Sequence, residues 1–412
     1  MYYYKIKDKY GFSFNYYKNL TTTSLEEVKN SKQLYFLYKM KPLESRRSFC
    51  VSDPSLLFQE RESIDILNKK YNANYDIDDW LLQKIIRREI IAINTNYPNW
   101  YDVLSYKTPD KWKVNILAMG DVGSTLLIGL RLLGGDIIKE IGIFDRTYNK
   151  AKRWELEMNQ VKSAFNHNYP DVNIIQKEEL FDCDMFVFCA SKSVPSIGSN
   201  IKDIRMAQFE SNSKIIKEYS QMAREKNFKG IFAVVSDPVD LLSKRVFLES
   251  NKNDNNDYDF KGLAPEQIRG YGLGVMNARA CYYAKKDNKF NHFLKEGRAY
   301  GPHGEGLVIA DSITNYNDEL SVELTNKTKK ANHTIRDLGY KPFIAPALSS
   351  GSLSIIDTLK GNWHYSATFV GGVYMGAKNR LLNSGTEIEN IELDKTLFNR
   401  IKKSYENLGD IL

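Results

Sequence analysis

The stretch Val114-Asn-Ile-Leu-Ala-Met-Gly120-Asp121-Val122-Gly123-Ser-Thr125 decides the fold. An apolar run meets a glycine turn, and helix-forming residues follow. A second apolar run, Ile141-Gly-Ile-Phe-Asp145, ends in an acid 22 residues after Gly123. Strand, glycine turn, helix, strand and terminal acid is the layout of a βαβ unit that holds a dinucleotide. Gly120 lets the backbone approach a pyrophosphate, and Gly123 lets the helix pack close to the strand. The N–H groups of the first turn, with Asp121 and Val122, face the phosphate oxygens, helped by the helix dipole. Asp145 accepts hydrogen bonds from both ribose hydroxyls and repels a 2′-phosphate, which favours NAD. Arg146 beside it is able to pair with such a phosphate, so NADP stays open. The usual first glycine of the turn is here Ala118, and a slightly altered turn is expected. Ala190, closing the fourth predicted strand, borders the same crevice.

Working outward, strands are predicted at 114–119, 141–145, 172–175, 184–190 and 230–236, with helices between them. Their nearly continuous apolar character fits a parallel sheet covered on both faces. The fold class is therefore α/β, with a Rossmann-type doubly wound parallel sheet over residues 111–248. Residues 249–412 mix strands and helices and are expected to form an α+β substrate domain closing over the cofactor. In that region 251–257 is asparagine- and aspartate-rich and predicts a solvated loop, and 332–360 predicts helices. The small residues of Ala345-Pro-Ala-Leu-Ser-Ser-Gly-Ser352 either widen a cleft or let helices pack closely. Residues 1–110 predict an extra N-terminal α/β module, with helices at 63–72 and 78–94. Trp80, Leu81, Ile85, Ile86, Ile90 and Ile91 recur there at helical spacing. The module is a packing or oligomerisation extension, or a recognition module resembling a winged helix that grips a peptide.

The net charge of +7 is modest for 412 residues and its lysines and arginines are dispersed, which argues against nucleic-acid binding. No apolar run is long enough to span a bilayer, and the opening Met1-Tyr-Tyr-Tyr-Lys lacks a signal peptide's apolar core. Cys50, Cys183, Cys189 and Cys281 have no metal-ligand spacing, so no metal is expected. Reduced thiols in a cytoplasmic protein is the simplest reading.

Four further segments follow in order: Arg205-Met-Ala-Gln-Phe-Glu-Ser-Asn212, Ser236-Asp237-Pro-Val-Asp240, Gly270-Tyr-Gly-Leu-Gly-Val-Met276-Asn-Ala-Arg279 and Gly301-Pro-His303-Gly-Glu-Gly306. Together with the nucleotide unit they resemble the lactate/malate dehydrogenase family over residues 113–380. The resemblance implies an oxidoreductase that moves a hydride between nicotinamide and a carbonyl or alcohol carbon. In its terms His303 exchanges a proton with the substrate oxygen, Arg279 clamps a substrate carboxylate, and Arg205 polarises the reacting carbonyl from a loop. Imidazole suits the first task because it titrates near neutrality, and a guanidinium fork suits the second. The other histidines, His167, His292, His333 and His364, lack that context. The loop before Arg205 offers Ser196, Ile197, Gly198, Ser199 and Asn200 but no arginine, which disfavours a second substrate carboxylate. Two departures stand out. Where the family pairs its histidine with an aspartate, this chain has Met276. Where the family has an asparagine after the fifth strand, this chain has Asp237, and a relocated carboxylate supporting His303 is one reading. Another is that Asp237 selects a neutral or cationic substrate; a third is decayed chemistry. The corresponding whole-protein readings are a small-molecule dehydrogenase, a tailoring reductase on a peptide held by the N-terminal module, and an NAD-binding scaffold. Relatives imply a homo-oligomer, which the extension is able to block.

Overall fold

The structure, a computed structural model, describes residues 1–69, 75–165, 168–192 and 204–411, with the backbone alone at 204 and 205. Its first six strands are β1 (Tyr2–Ile6), β2 (Lys9–Ser13), β3 (Thr21–Thr22), β4 (Leu34–Tyr38), β5 (Ser48–Cys50) and β6 (Ile90–Asn94). Next come β7 (Trp112–Leu117), β8 (Ile138–Phe144), β9 (Asp171–Ile174), β10 (Met185–Phe188), β11 (Ile231–Val234) and β12 (Ile268–Gly270). The chain ends with β13 (Arg298–Tyr300), β14 (Val308–Ala310), β15 (His364–Val370), β16 (Val373–Leu382) and β17 (Gly385–Ile388).

Strands β9-β8-β7-β10-β11-β12 lie side by side and all run parallel, the doubly wound order. Alternation along each strand buries both faces. Met185 and Val187 of β10 face Leu126, Leu127 and Leu130 of the helix Asp121–Leu133. Phe186 and Phe188 point the other way, into a core shared with Phe209, Ile216 and Tyr219 of the helix Ile204–Glu225. The C-terminal strands do not form a detached sheet. β15, β16 and β17 extend the same sheet antiparallel, starting where Ala367 meets Gly270. The three-residue β12, which makes that junction, has too short an apolar run to be read from sequence.

The N-terminal unit is a six-stranded mixed sheet in the order β3-β1-β2-β4-β6-β5. It corrects two expectations. Residues 90–94 are not helix but the fully buried strand β6, and the helix stops at Asp79–Ile86. Ile90 and Ile91 continue a helical spacing by coincidence, and Arg88, with a left-handed φ of 58°, breaks the helix before them. Residues 64–67 form only one 3-10 turn. A winged helix is therefore not the architecture.

This unit shares a continuous apolar core with the main sheet, from Phe12 and Leu34 to Phe232 and Phe369. Arg46 and Glu62, both buried, pair at 3.0 Å, and the second Glu62 oxygen accepts the Gly371 N–H at 3.1 Å. Arg47 and Ser48 bond Glu266 at 3.0 and 2.8 Å, and Asp102 bonds Lys229 at 2.6 Å. Glu266 and Lys229 immediately precede β12 and β11. These contacts thus lie along the amino-terminal edge of the parallel strands, whereas Asp145, Ala190 and Asp237 follow their strands on the carboxyl edge.

Two smaller points concern the C-terminal region. Asn251, expected in a solvated loop, is buried and its side chain bonds the carbonyls of Phe247 and Leu263 at 2.8 Å each. The small residues at 346–353 form a π-helical segment packed tightly on its neighbours. Ser350 Oγ donates to Gly272 O at 2.7 Å and accepts the Val275 N–H at 2.8 Å. A Cβ on Gly129 would overlap Ser352, so close packing is the role of this run.

Candidate active site

The glycine turn sits between β7 and the helix Asp121–Leu133. Ala118 holds a left-handed φ of 75°, so alanine has kept the backbone shape that a glycine adopts freely. A Cβ on Gly123 would overlap the Ala118 carbonyl oxygen, which is why the helix approaches so closely. A Cβ on Gly120 would meet nothing within 4 Å. The space beside Gly120 is therefore open, as the approach of a pyrophosphate to this turn requires. Asp121 lies exposed at the turn and pairs with Lys341 at 3.2 Å, and Val122 packs against the core below.

Asp145 follows β8 and turns back to this crevice. Its two oxygens accept the N–H groups of Met119 and Thr147, each at 2.9 Å, and Lys150 stands 3.5 Å away. A carboxylate fixed by two donors keeps lone pairs for ribose hydroxyls. Arg146 is exposed beside it. Ala190 follows β10, where its carbonyl accepts from Ser236 Oγ at 2.8 Å. These residues fit a dinucleotide.

Across the carboxyl edge, His303 Nδ1 lies 2.9 Å from Asp237 Oδ1. Against an ionised carboxylate, which only accepts, Nδ1 donates, and Nε2 is the ring nitrogen that Asp237 leaves unengaged. The imidazole side chain is 11 % exposed and the carboxylate 44 %. Gly272 makes this approach possible, because a Cβ there would stand 3.0 Å from His303 Cβ and 2.8 Å from Val239 Cγ2.

Arg279 projects from the helix Leu273–Lys286. Its guanidinium bonds Asn332 Oδ1 and reaches Met276 Sδ at 3.6 Å. Among the described residues no carboxylate pairs with it at ion-pair distance. Burial pulls its pKa down, while Tyr283 and Asp237 push it up. Met276 itself is buried in apolar surroundings. The loop at 193–203, the Arg205 side chain and His167 lie outside the described residues. His364 is a core residue, bonded to Thr358 and Ser366 at 2.8 and 3.1 Å. Burial and then the Arg269 charge push it down to about 3, so it is neutral.

Two asparagines escaped sequence reasoning. Asn332 is the partner of Arg279, and nothing local marks it. Asn212 is completely buried, accepts the Lys192 N–H at 3.0 Å and donates to the Asp237 carbonyl at 2.9 Å. It ties the segment after β10 to the residue that holds His303. A polar residue on the inward face of a helix was its only signal.

Residues 112–257 match the family model described as lactate/malate dehydrogenase, NAD binding domain. Over those residues the chain carries, in divergent form, the NAD-binding domain of the lactate/malate dehydrogenase family. It is 25 % identical to an L-lactate dehydrogenase of Staphylococcus haemolyticus over 251 residues, which is 59 % of this chain and 73 % of that one. An L-lactate dehydrogenase of Clostridium botulinum is 24 % identical over 73 % of this chain and 96 % of its own. A solved lactate dehydrogenase from a Medee basin deep-sea metagenome superposes with a TM-score of 0.59 at 17 % identity, covering 73 % of this chain and 98 % of that one. The family match starts at residue 112, so the N-terminal sheet is an addition to the family fold. Among the described residues no helix is long and apolar enough to cross a membrane.

Proposed function

We propose that this protein is an NAD-dependent oxidoreductase acting on a 2-oxo or 2-hydroxy acid or a close analogue. The observation that carries the reading is the Asp237–His303 pair, set on the same carboxyl edge of the parallel strands as Gly120 and Asp145. Nicotinamide, when bound, supplies or accepts the hydride. Asp237 holds Nδ1–H and so directs Nε2 toward the substrate oxygen, where it gives or takes the proton. This assigns to Asp237, from a strand end, the orienting task that a helix acid performs in the family. Arg279, with only neutral hydrogen-bond partners, is the clamp for a substrate carboxylate. Arg205 is assigned the polarising role on resemblance alone. Asp145 favours NAD over NADP by repulsion of a 2′-phosphate, with exposed Arg146 as the group that would accommodate one.

The position of the N-terminal unit speaks against peptide delivery. It lines the amino edge, opposite the crevice, so a peptide bound there has the sheet between itself and His303.

Steady-state assays with NADH and a panel of pyruvate, longer 2-oxo acids and oxaloacetate test the proposal. Turnover is expected with monocarboxylates. Asp237→Asn should lower kcat by about 100-fold or more, the scale of a mis-set acid–base residue. Met276→Leu, a volume-conserving change, should leave kcat within about threefold. Saturable NADH fluorescence without oxidation by any 2-oxo acid would leave a nucleotide-binding scaffold instead. Equal effects of the two substitutions would remove Asp237 from its role.

A further inference from the structure

The amino edge of the main sheet holds a cavity of about 450 Å³, at the seam with the N-terminal unit. One wall is the connector that leads from β6 to β7; the other is the start of β7, β10 and β11. Tyr106, Trp112 and Phe228 give it an aromatic lining, and Lys107 and Lys226 stand at its wall. The other charges there are engaged. Asp102 pairs with Lys229 at 2.6 Å, Arg47 with Glu266 at 3.0 Å, and Asp184 accepts the Lys113 N–H at 2.7 Å. Lys107 and Lys226 have no carboxylate partner among the described residues, so the surplus charge of the cavity is positive. The volume falls in the range of small-molecule sites.

We propose that this cavity binds a small aromatic anion, a ring carrying a phosphate or carboxylate, at a site separate from the nucleotide crevice. Tyr106 and Phe228 supply the aromatic wall, and Lys107 and Lys226 meet the anion. The ligand touches both the connector and the body, so it fastens the N-terminal unit to the main sheet. Mass action then makes the folded chain more stable in its presence.

Phenyl phosphate is the probe, titrated calorimetrically and by thermal melting into the full chain, with and without saturating NADH. Saturation with a Kd below about 1 mM is expected, unchanged by NADH and accompanied by a higher melting temperature. Lys226→Glu and Lys107→Glu, both at exposed positions, should each weaken binding about tenfold or more while NADH affinity stays unchanged. Inorganic phosphate should bind at least about tenfold more weakly, because it leaves the aromatic walls unused. No saturation by about 10 mM, displacement by NADH, or affinity indifferent to both lysine changes would each overturn the proposal. Equal binding of inorganic phosphate would reduce the site to an adventitious ion only.

Discussion

Asp237 and His303 are 66 positions apart in the chain, yet their side chains meet at 2.9 Å. Each was legible as a candidate because each sits in a short motif of recognisable order. What brought them together is spatial: a strand end and a loop from another part of the chain converge on Gly272. Met276 is the complement of that pairing. With the acid supplied from the strand end, the helix position is filled by a side chain that packs into an apolar cluster. Ala118 is a second informative residue. Its left-handed φ of 75° costs an L-residue about 1 kcal/mol or more, a strain that glycine lacks. Ala118→Gly should therefore raise stability by about 0.5 kcal/mol, after the extra chain entropy of glycine is subtracted. Urea denaturation reads the change, and NADH affinity should stay the same. A loss of stability would show that the alanine side chain contributes packing that outweighs the strain.

The regular elements followed the hydrophobic pattern where the pattern was long. The parallel strands β7 to β11 fall within a few residues of their predicted places, because runs buried on both faces need no alternation to be seen. β6 escapes the pattern because four apolar residues following an amphipathic helix look like one more turn of it. Between elements, Glu389 shows how charge fastens the C-terminal strands. It receives Arg298 of β13 at 2.6 Å and Lys378 of β16 at 2.8 Å. Burial raises its pKa, but the hydrogen bonds and charges of Arg298 and Lys378 outweigh that and hold it below the ordinary glutamate value. A lowered folded-state pKa means stability that is fully present above the unfolded value of about 4.3. That stability is lost as pH falls through the lower folded value. Glu389→Gln should thus destabilise the protein at pH 7 by about 1–2 kcal/mol and progressively less toward pH 3. Urea midpoints measured at both pH values check this; a difference that stays constant with pH would mean that packing, not ionisation, is lost.

At the scale of the whole molecule, the N-terminal sheet is built into the enzyme-like body. Its core runs without interruption into the main sheet, and the Arg46–Glu62 pair, 4 % and 1 % exposed, sits within that junction. Arg46→Met leaves a carboxylate buried without its cation, which costs about 3 kcal/mol. A clear fall in the thermal midpoint is expected. Removal of residues 1–110 should go further and abolish NADH binding by unfolding the body; a soluble 111–412 fragment that binds NADH normally would show the sheet to be dispensable. The sequence alone determined the nucleotide unit, the parallel sheet and the identity of the residues at its carboxyl edge. These are local facts, set by glycine sterics, by helix dipoles and by runs of apolar residues. Only the tertiary structure decided which carboxylate reaches His303, that β15–β17 join the main sheet, and that the N-terminal unit covers the opposite edge. Those outcomes depend on contacts between residues far apart in the chain, and no periodicity or spacing within one segment records which distant surface will bury it.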